Sequence, residues 1–253
     1  MRRLIPVLCV VFAAGLVAGC DTTSGENAGA PSASATPAPD PVTAVRQGMD
    51  RSLAGTVTMD ASMKAGNQAM TLSGKMDPGA RVLLVTGTAP EPIEARLIGE
   101  TAYIKMDSLD GDKPWMKLDL TKLRPGSSLR QSFDFTSQTG IVGGVVSAEA
   151  TGEGRYRGIA DLGKAAEAAS TDAGMRQGLE SSAKLAKDPT AIPFEATVDA
   201  EGRLTALSYT IATKTLGDLV AEMKMGGFGE PVRVSPPPAD DTEEADETMY
   251  AFF

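Results

Sequence analysis

No histidine occurs anywhere in the 253 residues. That absence excludes Ser-His-Asp and Cys-His nucleophile systems and any histidine-ligated metal site. It also removes the usual general base near neutral pH. Positive charge is in deficit, with 24 Lys and Arg against 33 Asp and Glu and a net charge of −9. An acidic chain of this kind argues against nucleic acid as a partner and against a broad electrostatic hold on anionic lipid. Aromatic residues make up only 5% of the chain, with one tryptophan, whereas methionine is common at 12 residues. Cysteine is limited to Cys9 and Cys20, and their positions matter more than their number.

Cys20 ends the run Val17-Ala18-Gly19-Cys20, behind a short apolar stretch that follows Arg2 and Arg3. A basic start, an apolar segment and small residues before a cysteine form the pattern of a bacterial lipoprotein signal. Leu4 to Gly19 is shorter than the roughly 20 residues that a helix needs to span a membrane, and Pro6 and Gly15 weaken it further as a permanent helix. Cleavage would remove residues 1–19 and leave Cys20 to carry S-diacylglycerol and N-acyl groups. Cys9 leaves with the peptide, so the exported domain must fold without disulfides and needs a proper apolar core. Cleavage also removes two arginines and no acid, which makes the mature chain more acidic still. The membrane is then a partner through the acyl chains of Cys20 and not through charge. The expected location is the outer, extracytoplasmic face of the cell membrane.

Residues 20–41 hold the lipidated cysteine and a Pro/Ser/Ala linker with Pro31, Pro37, Pro39 and Pro41. This composition predicts a disordered tether of about 25 Å root-mean-square reach. A domain is expected over 42–238, and an acidic, solvated, mobile tail over 239–253.

From Gly55 the pattern has period two. Val57, Met59, Ala61 and Met63 alternate with polar residues, as do Met70, Leu72, Gly74 and Met76 across a turn at 65–68. This predicts an antiparallel hairpin with one apolar face. Strands at 81–86, 93–98, 101–106 and 115–120 extend the meander. Residues 127–148 read as one or two short helices, and a strand is expected near 149–159. A helix capped by Thr171 should run to about Lys187, with Met175, Leu179, Ala183 and Ala186 as its apolar stripe and a Glu180–Lys184 pair on its solvent side. Strands at 194–198 and 204–211 flank the turn Asp199–Gly202. Residues 216–225 fit a strand or a helix, and Pro236-Pro237-Pro238 closes the domain.

Two patterns look chemical. Ser181-Ser182-Ala183-Lys184 matches the S-x-x-K pattern of serine β-lactamases and penicillin-binding proteins, but no S-D-N follows and Lys214-Thr215-Leu216 lacks the glycine of K-T-G. Asp107, Asp110 and Asp112 lack the spacing and the closing glutamate of a calcium loop. No metal, cofactor or catalytic residue is expected, and the protein reads as a non-enzyme. A serine hydrolase using Ser181 and Lys184 is a minor alternative.

Several motifs occur in a telling order. After the lipobox and linker come Thr101–Met106, Lys113-Pro114-Trp115-Met116-Lys117-Leu118-Asp119-Leu120, Ile192-Pro193-Phe194-Glu195 before Val198–Gly202, and Val232–Pro238. Together they resemble the LppX/LprG family of actinobacterial lipoproteins, which are similar in fold to the LolA/LolB carriers. The resemblance implies an α+β fold, a strongly curved antiparallel sheet or half barrel with helices packed on its concave face. It also implies an apolar cavity that binds or carries a lipid or lipoglycan, with a transport protein of the envelope as a partner. Candidate lining residues are Met59, Met63, Met70, Leu72, Trp115, Phe133, Ile141 and Val145. The other reading consistent with the chain is an interaction or sensor lipoprotein that carries no lipid.

Overall fold

The computed structural model describes residues 39–252 apart from 89–90, 109–111, 125–126, 128, 131–132 and 134–139. Cys20 and the tether up to residue 38 lie outside these residues. The described chain opens with a helix, α1 (Pro41–Leu53), where the pattern assigned no element. The Asp40 side chain accepts hydrogen bonds from the N–H groups of Val42 and Thr43, and Pro41 stands where a helix needs no N–H. Its buried face is Ala44, Val45, Gly48, Met49 and Ser52. Gly48 lets α1 sit close to the sheet: a Cβ there would lie 3.3 Å from the backbone nitrogen of Leu204. The Ser52 hydroxyl lies 2.8 Å from both the Gly48 and the Leu204 carbonyls, tying α1 to the sheet.

The strands are β1 (Val57–Ala65), β2 (Gln68–Asp77), β3 (Val82–Thr88), β4 (Pro92–Ile98), β5 (Thr101–Met106) and β6 (Trp115–Asp119), then β7 (Val145–Gly152), β8 (Arg155–Ala160), β9 (Ile192–Val198), β10 (Leu204–Ala212), β11 (Asp218–Gly226) and β12 (Thr242–Glu244). They form one sheet in the order β12-β6-β5-β4-β3-β2-β1-β11-β10-β9-β8-β7. Among the described residues every pairing is antiparallel except β12 with β6, and the sheet is open, with β12 and β7 at its edges. The fold is therefore α+β, built on a large antiparallel sheet. Pairing of β1 with β11 joins the N-terminal meander to the C-terminal one.

The register explains the core. Val57, Met76, Leu83, Leu97, Ala102 and Leu118 stand opposite one another across six successive strands, and all are buried. Removing each large side chain in that row from water contributes about 1.5–3 kcal/mol. A second row on the same face runs Met70, Met63, Ala221, Tyr209, Phe194 across β2, β1, β11, β10 and β9.

Elsewhere the elements differ from the pattern. Residues 145–160 form a hairpin, β7 and β8, where short helices followed by a single strand were expected. Val145 and Val146 are β-branched and open β7, and Glu153-Gly154 supplies the turn with Gly154 at φ 64°. Two further helices follow: α2 (Leu162–Ala168), capped by Asp161, and α3 (Ala173–Leu185), capped by Asp172 and not Thr171. Met175, Leu179, Ala183 and Ala186 face the core as their spacing requires. Glu180, however, lies 3.8 Å from Arg176 instead of pairing with Lys184. Residues 216–225 resolve as strand β11, because pairing on both sides satisfies the backbone of this segment.

The acidic terminus is the largest correction. Residues 239–252 do not form a mobile tail. They build a 3-10 turn (Ala239–Asp241), strand β12 and helix α4 (Glu247–Phe252). Two lysines hold this segment, one through an acid and one through the backbone. Lys117 meets Glu244 at 2.7 Å, and the Lys113 ammonium donates to the Thr242 carbonyl.

Candidate functional site

Beneath the joint between the two meanders lies an apolar cavity of about 200 Å³. Strand alternation puts Met59 and Met63 of β1, Met70 of β2, and Met223 and Met225 of β11 on its wall. Met49 and Leu53 of α1, Met175 of α3 and Ile141 of the 3-10 turn Gly140–Gly144 complete the lining from the helical side. Leu207 and Tyr209 come from β10. Ser62 and Glu222, which stand opposite each other on β1 and β11, border it through the sheet, because they alternate with the inward residues Ala61, Met63, Ala221 and Met223. Tyr209 is thus the polar side chain on the core-facing row, and burial pushes its phenol above the ordinary value.

A larger surface groove, about 730 Å³, runs over β7 to β11 and carries Glu149, Arg157, Glu195, Ser208 and Glu222. Arg157 and Glu149 pair with each other there, both well exposed. Tyr209 and Glu222 border both spaces. The smaller space has the character of a ligand site, concave and apolar with few polar groups, whereas the larger is a charged, open surface.

The structure brings four of the sequence-derived lining residues together at the cavity: Met59, Met63, Met70 and Ile141. The other four lie off it. Leu72 turns toward β3, where its Cδ2 would stand 2.9 Å from a Cβ on Gly87. Val145 is buried where β7 begins, and its carbonyl accepts a hydrogen bond from Arg46 at 2.9 Å. Phe133 is buried in the core. Trp115 is buried outside the core cluster, under the Arg96 guanidinium at 4.6 Å. Arg96 in turn donates to the Ser235 carbonyl, so the proline-rich segment covers this side of the sheet.

Other sequence features find plain structural roles. Gly144, next to Gly143, is a close-packing position: a Cβ there would meet the Asp161 carbonyl oxygen at 2.2 Å and the Ala165 Cβ at 2.8 Å. Ser181 and Lys184 are both exposed on α3, and neither borders the cavity or the groove. Asp110 lies outside the described residues, while the Asp112 N–H donates to Glu243. Among the lining residues missed by sequence are Met49, Leu53, Met175, Leu207, Tyr209, Met223 and Met225. Met175 left a signal in the apolar stripe of its helix, and Met223 and Met225 in the alternation Leu219, Ala221, Met223, Met225.

No protein-family model matches the chain, and no curated protein matches it. Among solved structures it is similar to an uncharacterized conserved protein from Thermus thermophilus, at a TM-score of 0.38 and 9% identity, over 79% of this chain and 97% of that one. A likeness at that level says nothing of function.

Proposed function

We propose that this protein is a membrane-anchored extracytoplasmic lipoprotein that binds or carries the apolar part of a lipid or lipoglycan. The observation that carries this reading is the cavity: seven methionines from a helix pair and three neighbouring strands around one apolar space. The acylated Cys20 would hold the domain at the membrane that donates the ligand, and the linker would let it reach an acceptor, such as an envelope transport protein. The sheet would curve as a half barrel around α1 and α3, as in the LppX/LprG family that the motifs resemble.

The volume shapes the mechanism. About 200 Å³ exceeds the roughly 150 Å³ engineered cavity that admits benzene and falls below the roughly 300–1,000 Å³ of most ligand pockets. A long acyl chain therefore requires the lining to repack. Methionine suits this, being unbranched and flexible along its whole length. Each methylene taken from water contributes about 0.8 kcal/mol toward that opening.

Native mass spectrometry of the full-length protein should find co-purified lipid, and the uncharged probe N-phenyl-1-naphthylamine should gain fluorescence on binding. Ala221→Leu, which projects into the cavity opposite Met63 and Tyr209, should abolish that gain while the fold persists. Absence of both lipid and probe uptake would sink the carrier reading. It would favour the second one, an interaction or sensor lipoprotein that uses the open charged groove over β7 to β11.

A further inference from the structure

The cavity wall carries one polar handle, and its surroundings define what that handle can take. Tyr209 stands in the inward row between Ala221 and Phe194 and packs against the core. The described residues give its hydroxyl no hydrogen-bond partner, and the half-buried side chain leaves that hydroxyl open to a ligand or to water: the fully enclosed side-chain oxygen without a partner among them is Thr56 Oγ1. Every other side chain that faces into the space is apolar, and no lysine or arginine lines it among the described residues. Glu222 is the charged group at its border.

We infer that the Tyr209 hydroxyl is the specificity-determining contact of this cavity, and that its ligand is an un-ionised, single-chain amphiphile with one alcohol or carbonyl oxygen. This rests on the ligand-binding reading of the cavity. A phenol can both donate and accept, so it pairs with either oxygen type. A phenol is protonated at neutral pH and able to donate, and burial moves its titration further from that range. An anionic head brought inside would find no cation to compensate its lost hydration, and Glu222 would oppose it at the border. The small volume favours one chain over two or three.

The test uses the full-length protein at neutral pH with 1-octanol, octanoate and toluene as probes, read by calorimetry. In the wild type, 1-octanol should bind about tenfold tighter than octanoate. Tyr209→Phe should weaken 1-octanol about fivefold, as expected for one lost hydrogen bond, and leave toluene unchanged. Equal binding of 1-octanol by wild type and Tyr209→Phe would overturn the inference, as would octanoate binding as tightly as 1-octanol. Parallel loss of toluene and 1-octanol in Tyr209→Phe would assign the ring a merely structural role, and the inference would fall with it. Failure of toluene and 1-octanol to bind the wild type at all would instead overturn the cavity reading beneath it. Tyr209→Leu, retaining toluene but losing the preference for 1-octanol over octanoate, gives the same answer should the phenylalanine variant fold poorly.

Discussion

Seven of the chain's 12 methionines border a single cavity. Methionine packs adaptably but specifies a shape weakly, so individual lining positions should differ in what they contribute. Met225 is 6% exposed. Met225→Ala should cost about 2–4 kcal/mol in urea denaturation, the usual cost of a large-to-small core change. Met63→Leu should cost less than about 1.5 kcal/mol, while slowing uptake of bulky probes because a branched side chain repacks less freely. Away from the cavity, two residues join elements directly. Ser52→Ala removes the hydroxyl shared by the Gly48 and Leu204 carbonyls and should cost about 1 kcal/mol. Gly144→Ala forces a Cβ onto the Asp161 carbonyl and should cost about 1–3 kcal/mol, read in the same denaturation experiment.

Strand β12 and helix α4 behave as a strap over the edge of β6. Three residues pair with Trp115, Met116 and Lys117, and the Tyr250 hydroxyl accepts a hydrogen bond from the Asp119 N–H at 2.8 Å. Short pairing and exposed ion pairs place this element at the low end of local stability. Ending the chain at Pro238 should uncover Trp115, the sole tryptophan, and shift its emission to the red. An emission maximum unchanged by the truncation would show that the strap does not shield it. The bared β6 edge should also raise the tendency to self-associate. Acid should act in the same direction. The hydrogen bond and charge of Lys117 hold the Glu244 carboxyl below its ordinary value of 4.5. A depressed carboxyl stabilises docking above that value and loses its contribution as pH falls through the folded pKa. Lys117, raised by the same partner, keeps its contribution until pH exceeds 10.5. Docking should therefore weaken below about pH 4.5, and Glu244→Gln should diminish the Trp115 shift seen on acidification.

At the scale of the whole molecule, the proposed attachment through Cys20 and the fold of the domain can be tested apart. Cys20→Ala should leave the domain folded but release it from membranes in a high-salt wash. Retention with the membrane would overturn the single-anchor picture. Much of the sheet was legible, because period-two alternation survives wherever one face is buried: β1, β2, β5, β9 and β10 follow the pattern closely. Helix α1 was obscured by the proline-rich linker that runs into it, since Pro41 reads equally as linker and as a first helical residue. Strand β12 was obscured by its charge, because acidic runs are solvated unless a neighbouring strand supplies cations. Half of the candidate lining was legible on the same grounds. Met59, Met63 and Met70 share one sheet face, whereas Leu72, on that same face, packs over Gly87 of the next strand. Tyr209 could not be picked out, since a tyrosine in a strand has no local mark of what it faces. The alternating strands, the disulfide-free core and the absence of histidine chemistry follow from composition and local period alone. The meeting of the methionines with Tyr209 does not, because it depends on β1 pairing with β11. That pairing joins residues more than 150 positions apart, and a contact between segments so distant in the chain leaves no mark in the local pattern of either.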